Sequence, residues 1–241
     1  MRQLFYSFCV GIACINPLFS QIDDQGGDWY YGFKAGATYS SIDELATTII
    51  RPIYPEETYN VSFEQQVGFT GGVYVYYRFN ESSFAIQPEI TYGDQGGIFN
   101  YDDINGLEYT IAMKYSYLRL APIIKIYPAA GLNLELGAQL GFNLNTNNLD
   151  YTSNMPELGP DLQIQQSLRQ VLKGDHNVGF IVGLSYELPF GLSISGRYVY
   201  GISDVIETQA NSFYFIENRN RNTTLEATIG YTIPFYGNPY R

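Results

Sequence analysis

Three groups of residues in this chain have the right types for chemistry. The first surrounds His176, the only histidine, which follows Asp175 and lies downstream of Ser167. A hydroxyl, an imidazole and a carboxylate are the parts of a hydrolase or acyltransferase site, and at a membrane face such a site would modify lipids. The parts must touch, however, and the stretch between Ser167 and His176 reads as a helix end that holds them apart. His176 is therefore expected to be a solvated loop residue. The second group comprises Glu89, Glu135, Glu187 and Glu226, accompanied by Lys34, Arg78, Arg119, Lys125 and Arg197. Paired carboxylates can divide acid and base roles, but each of these sits in an alternating run that forces polar groups to one face, so a scaffold role is expected. The third is Asp102-Asp103 with Asn105-Gly106, oxygen donors suited to a divalent cation. No EF-hand spacing surrounds it. No catalytic, cofactor-binding or metal-binding residue is expected, and the chain is not expected to be an enzyme.

Composition removes further classes. The only cysteines, Cys9 and Cys14, lie near the start, so the rest of the chain has neither disulfides nor thiolate chemistry. The formal net charge of −11 argues against nucleic acid, whose phosphates call for basic patches. Aromatic content of 16%, with 23 tyrosines, is high for a soluble domain, and tyrosine concentrates at membrane interfaces.

The elements that must position these residues announce themselves by period two. Along 132–143, Leu132, Leu134, Leu136, Ala138, Leu140 and Phe142 alternate with Asn133, Glu135, Gly137, Gln139, Gly141 and Asn143. Seven further runs obey the same rule, near 29–40, 67–79, 84–93, 117–127, 178–188, 192–202 and 224–235. Ile123 breaks the pattern on the polar side of its run. Pro88 and Pro122 fall at apolar positions, where local distortion is expected because proline removes a ladder donor. Connections alternate in length. Short ones at 80–83, 128–131 and 189–191 separate long ones near 41–66, 94–111, 144–176 and 204–221. Short periplasmic turns, long external loops and an even strand count are the signature of a transmembrane barrel. Eleven residues at about 3.3 Å each, tilted about 45°, rise roughly 26 Å, enough to cross its apolar band.

The expected fold is thus all-β: an eight-stranded antiparallel up-and-down transmembrane β-barrel with short periplasmic turns and long extracellular loops, placed in the bacterial outer membrane. Aromatics at strand ends should form two belts. Trp29, Tyr31, Tyr77, Phe79, Phe84, Tyr127 and Phe235 would mark the periplasmic one, and Tyr39, Phe69, Tyr92, Tyr115, Phe142 and Tyr200 the outer one. Polar faces then line a narrow lumen that side chains just fill. Lys34, Arg78, Glu89, Arg119, Lys125, Glu135, Glu187, Arg197 and Glu226 should form a plugged, salt-bridged network there with some water, because an unpaired buried charge is costly. Glycines such as Gly32, Gly36, Gly68, Gly72, Gly179 and Gly183 would make room for them. A solute channel is not expected.

The long loops carry most of the acidic charge, −4 over 41–66, −3 over 96–111, −2 over 144–176 and −1 over 204–221. They are read as a solvated hydrophilic cap, with divalent bridging to lipopolysaccharide as the functional alternative. Within the third, Asp161 to Gly174 reads as a short amphipathic helix, capped by Asp161, with Leu168 and Leu172 stacked one turn apart and Gly174 ending it; it is expected to rest on the barrel rim, with docking of a partner as the alternative. Expected partners are outer-membrane lipids and lipopolysaccharide, with protein partners through loops 41–66 and 144–176, and no nucleic acid. Residues 1–20 read as a signal peptide, with Arg2 before a short apolar run and cleavage after Ser20. A lipoprotein site at Cys14 lacks its usual leucine, Gly11 standing there instead. A short periplasmic segment, 21–28, precedes the barrel domain, 29–241.

The run Tyr31-Gly32-Phe33-Lys34-Ala35-Gly36-Ala37-Thr38-Tyr39-Ser40 resembles the G-x-K-x-G-x-x-x-S first strand of PorT-like outer-membrane β-barrel proteins of Bacteroidota. The stretch from Tyr117 to Pro128, the ending from Leu225 to Phe235 and Gln21 after the cleavage site resemble that group as well. The motifs are strand patterns without an active site, so the resemblance implies fold and location. The member that gives the group its name participates in protein secretion and gliding machinery. This chain departs from the pattern at Arg119, where an acidic residue is usual, and in its long first and third loops.

Overall fold

In the computed structural model, residues 27–42, 59–79, 82–154, 161–208 and 220–234 are described. Residues 1–20, expected to be a signal peptide, and most of the segment 21–28 lie outside them. Eight long strands close into a ring: β1 (Gly27–Ile42), β2 (Tyr59–Phe79), β3 (Phe84–Asp103), β4 (Glu108–Ile126), β5 (Leu132–Asn143), β8 (Asn177–Glu187), β9 (Leu192–Asp204) and β11 (Arg221–Pro234). Each is antiparallel to its neighbours, and β11 pairs with β1 from Tyr30↔Pro234 to Ile42↔Asn222 to seal the barrel. The remaining elements are β6 (Leu149–Ser153), α1 (Asp161–Val171), β7 (Leu172–Gly174) and β10 (Ile206–Thr208).

Alternation sorts the side chains as period two requires. On β1, Tyr31, Phe33, Ala35, Ala37 and Tyr39 are exposed while Lys34, Thr38 and Ser40 are buried. Leucine, valine, isoleucine and phenylalanine fill the exposed outer face of every ring strand, from Val73 and Ile90 to Leu136, Val182 and Ile229. Among the described residues no helix is long and apolar enough to cross a membrane. The apolar belt of the strands does the crossing instead. Tight turns fall at 128–131 and 189–191, where Gly131 and Gly191 adopt φ of 78° and 93°, a region that favours glycine.

The two prolines meet. Pro88 on β3 lies directly opposite Pro122 on β4, with unbroken register between those strands. Pairing lapses only on the far sides, between β2 and β3 at Gln87–Pro88 and between β4 and β5 at Ala121–Pro122. The missing donors thus face outward from the β3–β4 pair, and the distortion is confined there.

The expected long loop 94–111 is not a loop. β3 and β4 continue as a paired hairpin from Asp94↔Ser116 to Asp102↔Glu108, turning only at Asp103–Leu107. β2 joins it, Tyr59↔Asp103 to Gln65↔Gly97, and β6 adds a fourth strand along Tyr109–Met113 of β4. A 21-residue strand such as β2 rises roughly 45–50 Å at 45° tilt, against an apolar band of about 25 Å. The excess forms an extracellular crown on one side of the barrel. An extra residue on β2 between Gln65 and Thr70 shifts its register with β3. This bulge flips the strand's faces, so that Val67 and Phe69 look outward to lipid while Val61 and Phe63 turn to the crown's inner side.

Candidate functional site in the barrel lumen and its crown

Each ionisable lumen residue is placed by strand parity, and the chain's alternation brings eight of the nine expected groups together. Arg119 Nη1 donates to Glu226 Oε2 at 2.8 Å, and Lys34 Nζ lies 3.5 Å from Glu226 and 2.6 Å from Glu89. Arg197 grips Glu89 with both Nη atoms at 2.7 Å and reaches Glu135 through Nε at 2.5 Å. Lys125 lies 3.6 Å from Glu135 and donates to Glu187 at 2.7 Å. The result is a single file of alternating sign, Arg119–Glu226–Lys34–Glu89–Arg197–Glu135–Lys125–Glu187, with four cations and four anions. All but Glu187 are at most 6% exposed. Bidentate and doubly shared contacts are the geometry that offsets desolvation in such a place.

Arg78 is the exception to the expected network. It is exposed at the periplasmic mouth, and its guanidinium sits 4.5 Å from the ring centroid of Tyr127. Parity points it inward, but β2 is nearly at its end there, so it stands at the open mouth and not within the file. Tyr127 is also displaced from its expected place in the lipid-facing belt. It continues the lumen face of Lys125, bonds Tyr76 hydroxyl to hydroxyl at 2.7 Å and donates to Glu187. Tyr115 likewise lies inside, and Tyr77 is buried between Trp29 and Phe79. Tyr31, Phe84, Tyr39, Phe69, Tyr92 and Tyr200 are exposed on the outer face; Phe235 lies outside the described residues.

Ile123, out of pattern in the sequence, has a partner set. With Ala121, Ile181 and Val199 it forms an apolar patch inside the lumen beside the ion-pair file. Gly137 leaves the space that the Ile123 side chain occupies, since a Cβ there would lie 2.6 Å from Ile123 Cδ1. Above the file the lumen turns polar, with Asn177 donating to Gln95 at 2.9 Å and Thr38 to the Asp94 carbonyl at 2.6 Å. Farther out it turns apolar. Phe99, Ile111, Met113, Tyr115, Leu149 and Leu172 are fully buried together, joined by Leu168 of α1 and by Val205 and Ile206. This cluster caps the outer mouth.

The expected helix forms, but it stops at Val171 and Leu172 begins the short β7–β10 ribbon. It rests on β6: Arg169 Nε donates to the Leu149 carbonyl at 2.7 Å, and Gln165 and Arg169 both reach Asp150. The signal for this crown was present in the odd-numbered residues 95–101 and 111–117. These continue the lumen face of β3 and β4 but exchange charge for apolar and aromatic groups.

The hydrolase constellation is not assembled. His176 Nδ1 accepts the Asn143 N–H at 3.2 Å and its ring packs edge-on against Phe142, while Asp175 caps the His176 backbone N–H. Ser167 donates to the Gln163 carbonyl within its own helix. Asp103 closes its turn by accepting the N–H groups of Asn105 and Leu107. Among the described residues no group of three or more acidic, histidine or cysteine side chains is arranged to hold a metal ion.

The family-model comparison agrees with this architecture. A family model described as outer membrane protein beta-barrel domain matches residues 19–207. Similar solved structures include Neisserial surface protein A, at 13% identity and TM-score 0.38, covering 86% of this chain and 98% of that one. The outer membrane protein OprG from Pseudomonas aeruginosa matches at 8% identity and TM-score 0.41, covering 87% and 98%. Ail, the attachment invasion locus protein of Yersinia pestis, matches at 12% identity and TM-score 0.38, covering 86% and 99%. No curated protein matches the sequence. With a family model spanning well over half its length, the chain belongs to the outer membrane protein beta-barrel domain family and resides in the bacterial outer membrane.

Proposed function

We propose that this protein is a sealed, non-catalytic barrel whose role is to anchor the extracellular crown and present it to a partner in the cell envelope. The observation that carries this reading is the double closure of the lumen. A charge-neutral file of ion pairs fills its middle and an apolar core fills its outer mouth. Both layers stand across the route a solute would take through the lumen, which supports a sealed barrel over a pore. The PorT-like pattern of β1, with Gly32, Lys34, Gly36 and Ser40 in register along the strand, supports a place in that branch of the family from Bacteroidota. It also supports a role beside envelope or secretion machinery. Lipopolysaccharide, bridged by divalent cations to the acidic outer segments, is the expected lipid neighbour, and protein partners are expected through 41–66 and 144–176.

Three measurements test this. In planar bilayers the refolded chain is expected to give no unitary conductance; steady single-channel steps would refute the sealed lumen. In native membranes a companion protein is expected to co-purify with the intact chain and to be lost when 97–112 is replaced by a tight turn. Equal recovery of all companions by the two would refute the crown as the working surface. His176→Ala is expected to leave lipid A acylation unchanged, and loss of an acyl chain would restore the lipid-modifying enzyme as the better reading.

A further inference from the structure

The ion-pair file borders a small cavity of about 10 Å³, lined by Lys34, Glu89, Arg119, Gln139, Arg197 and Glu226. Two of its polar wall residues are incompletely satisfied. Arg119 gives Nη1 to Glu226 and Nη2 to Thr70, but its Nε–H has no protein acceptor; Gln139 Nε2 has none either. Both side chains are nearly inaccessible, 1% and 2% exposed. A buried donor left unpaired is costly, more so when it is charged. Buried polar groups in such positions are ordinarily met by an ordered solvent molecule.

We propose that this cavity is a binding site for one water molecule, which completes the lumen network. The volume matches the roughly 10–15 Å³ that a single water requires. Its oxygen accepts from Arg119 Nε–H and Gln139 Nε2–H, and its two hydrogens point to the carboxylates of Glu89 and Glu226, which line the same cavity. Size and chemistry decide against an ion. Lys34, Arg119 and Arg197 put three positive groups on the lining against Glu89 and Glu226, but a space of about 10 Å³ holds a water and not the larger halide. A metal cation would face two N–H donors. A neutral molecule that both accepts and donates is what the walls fit.

The test is a crystal structure of the refolded chain grown with sodium bromide as the salt. The expected result is one oxygen peak within about 3.2 Å of Arg119 Nε and of Gln139 Nε2, with no anomalous bromine signal. A dry cavity, a bromine peak, or side chains turned onto protein acceptors would each overturn the assignment. In deuterated detergent, the Arg119 Nε–H resonance is expected to show a rotating-frame cross-peak to a long-lived water. A visible resonance without that cross-peak would overturn it as well.

Discussion

Arg197 is the residue on which the lumen network depends most. It makes three short contacts, two at 2.7 Å to Glu89 and one at 2.5 Å to Glu135, and it joins the two halves of the file. In Arg197→Met, Glu89 keeps Lys34 at 2.6 Å, but Glu135 keeps only Lys125 at 3.6 Å. Removing one member of a buried pair costs about 3–5 kcal/mol, and the surviving partners argue for the low end, about 3 kcal/mol. Urea-induced unfolding from lipid vesicles, followed by the fluorescence of Trp29, the only tryptophan, reports this directly. With a slope of about 1–3 kcal/mol per molar, the midpoint should fall by about 1 M or more. Adding Glu135→Gln removes the stranded carboxylate and restores charge balance, so the double variant should recover over half the loss. Arg78→Met, at the exposed mouth, should cost no more than about 1 kcal/mol, the value of an exposed cation–π contact. A single variant within about 0.5 kcal/mol of the wild type, or a double variant as unstable as the sum of its parts, would refute the reasoning.

Three other perturbations separate inside from outside and barrel from crown. Ile123→Ala should destabilise by about 2–5 kcal/mol through a lumen cavity, whereas Ile124→Ala, whose side chain meets lipid, should cost clearly less; similar urea midpoints would contradict the facing. Leu168→Ala should loosen α1 from the crown and speed protease cleavage there, while the ring strands keep their midpoint; coincident loss of both would show that the crown does not open separately. Gly72→Ala should cost about 1–3 kcal/mol, because its Cβ would lie 2.2 Å from the Ile90 carbonyl on the neighbouring strand; an unchanged midpoint would show that β2 and β3 yield without strain.

Much of this was legible in the residues. Strict alternation over 132–143 identifies β5 together with its two faces, and the turns at 128–131 and 189–191 stand where glycine and proline punctuate the pattern. The eight file members follow from parity alone. What the pattern concealed has physical causes. Above Arg119 the inner face of β4 becomes Tyr117, Tyr115, Met113 and Ile111, so the contrast of charged against apolar that marks a lumen wall disappears. On β2 one inserted residue inverts the phase, and a period-two reading cannot continue across it. Arg78 shows the complementary limit, since parity gives direction but not depth along the axis. Which groups pair was likewise invisible, because partners such as Arg119 and Glu226, or Glu89 and Arg197, come from strands that meet only across the enclosed space.

That long-range pairing bears on how the molecule assembles. Lys34 of β1 lies within ion-pair reach of Glu226 of β11, the strand on the other side of the seam, while also holding Glu89 of β3. A half-built sheet in the bilayer would strand at least one of these charges in hydrocarbon. The last seam is therefore coupled to settlement of all the others, and the network acts as a proofreading step that favours a completed cylinder over any open intermediate.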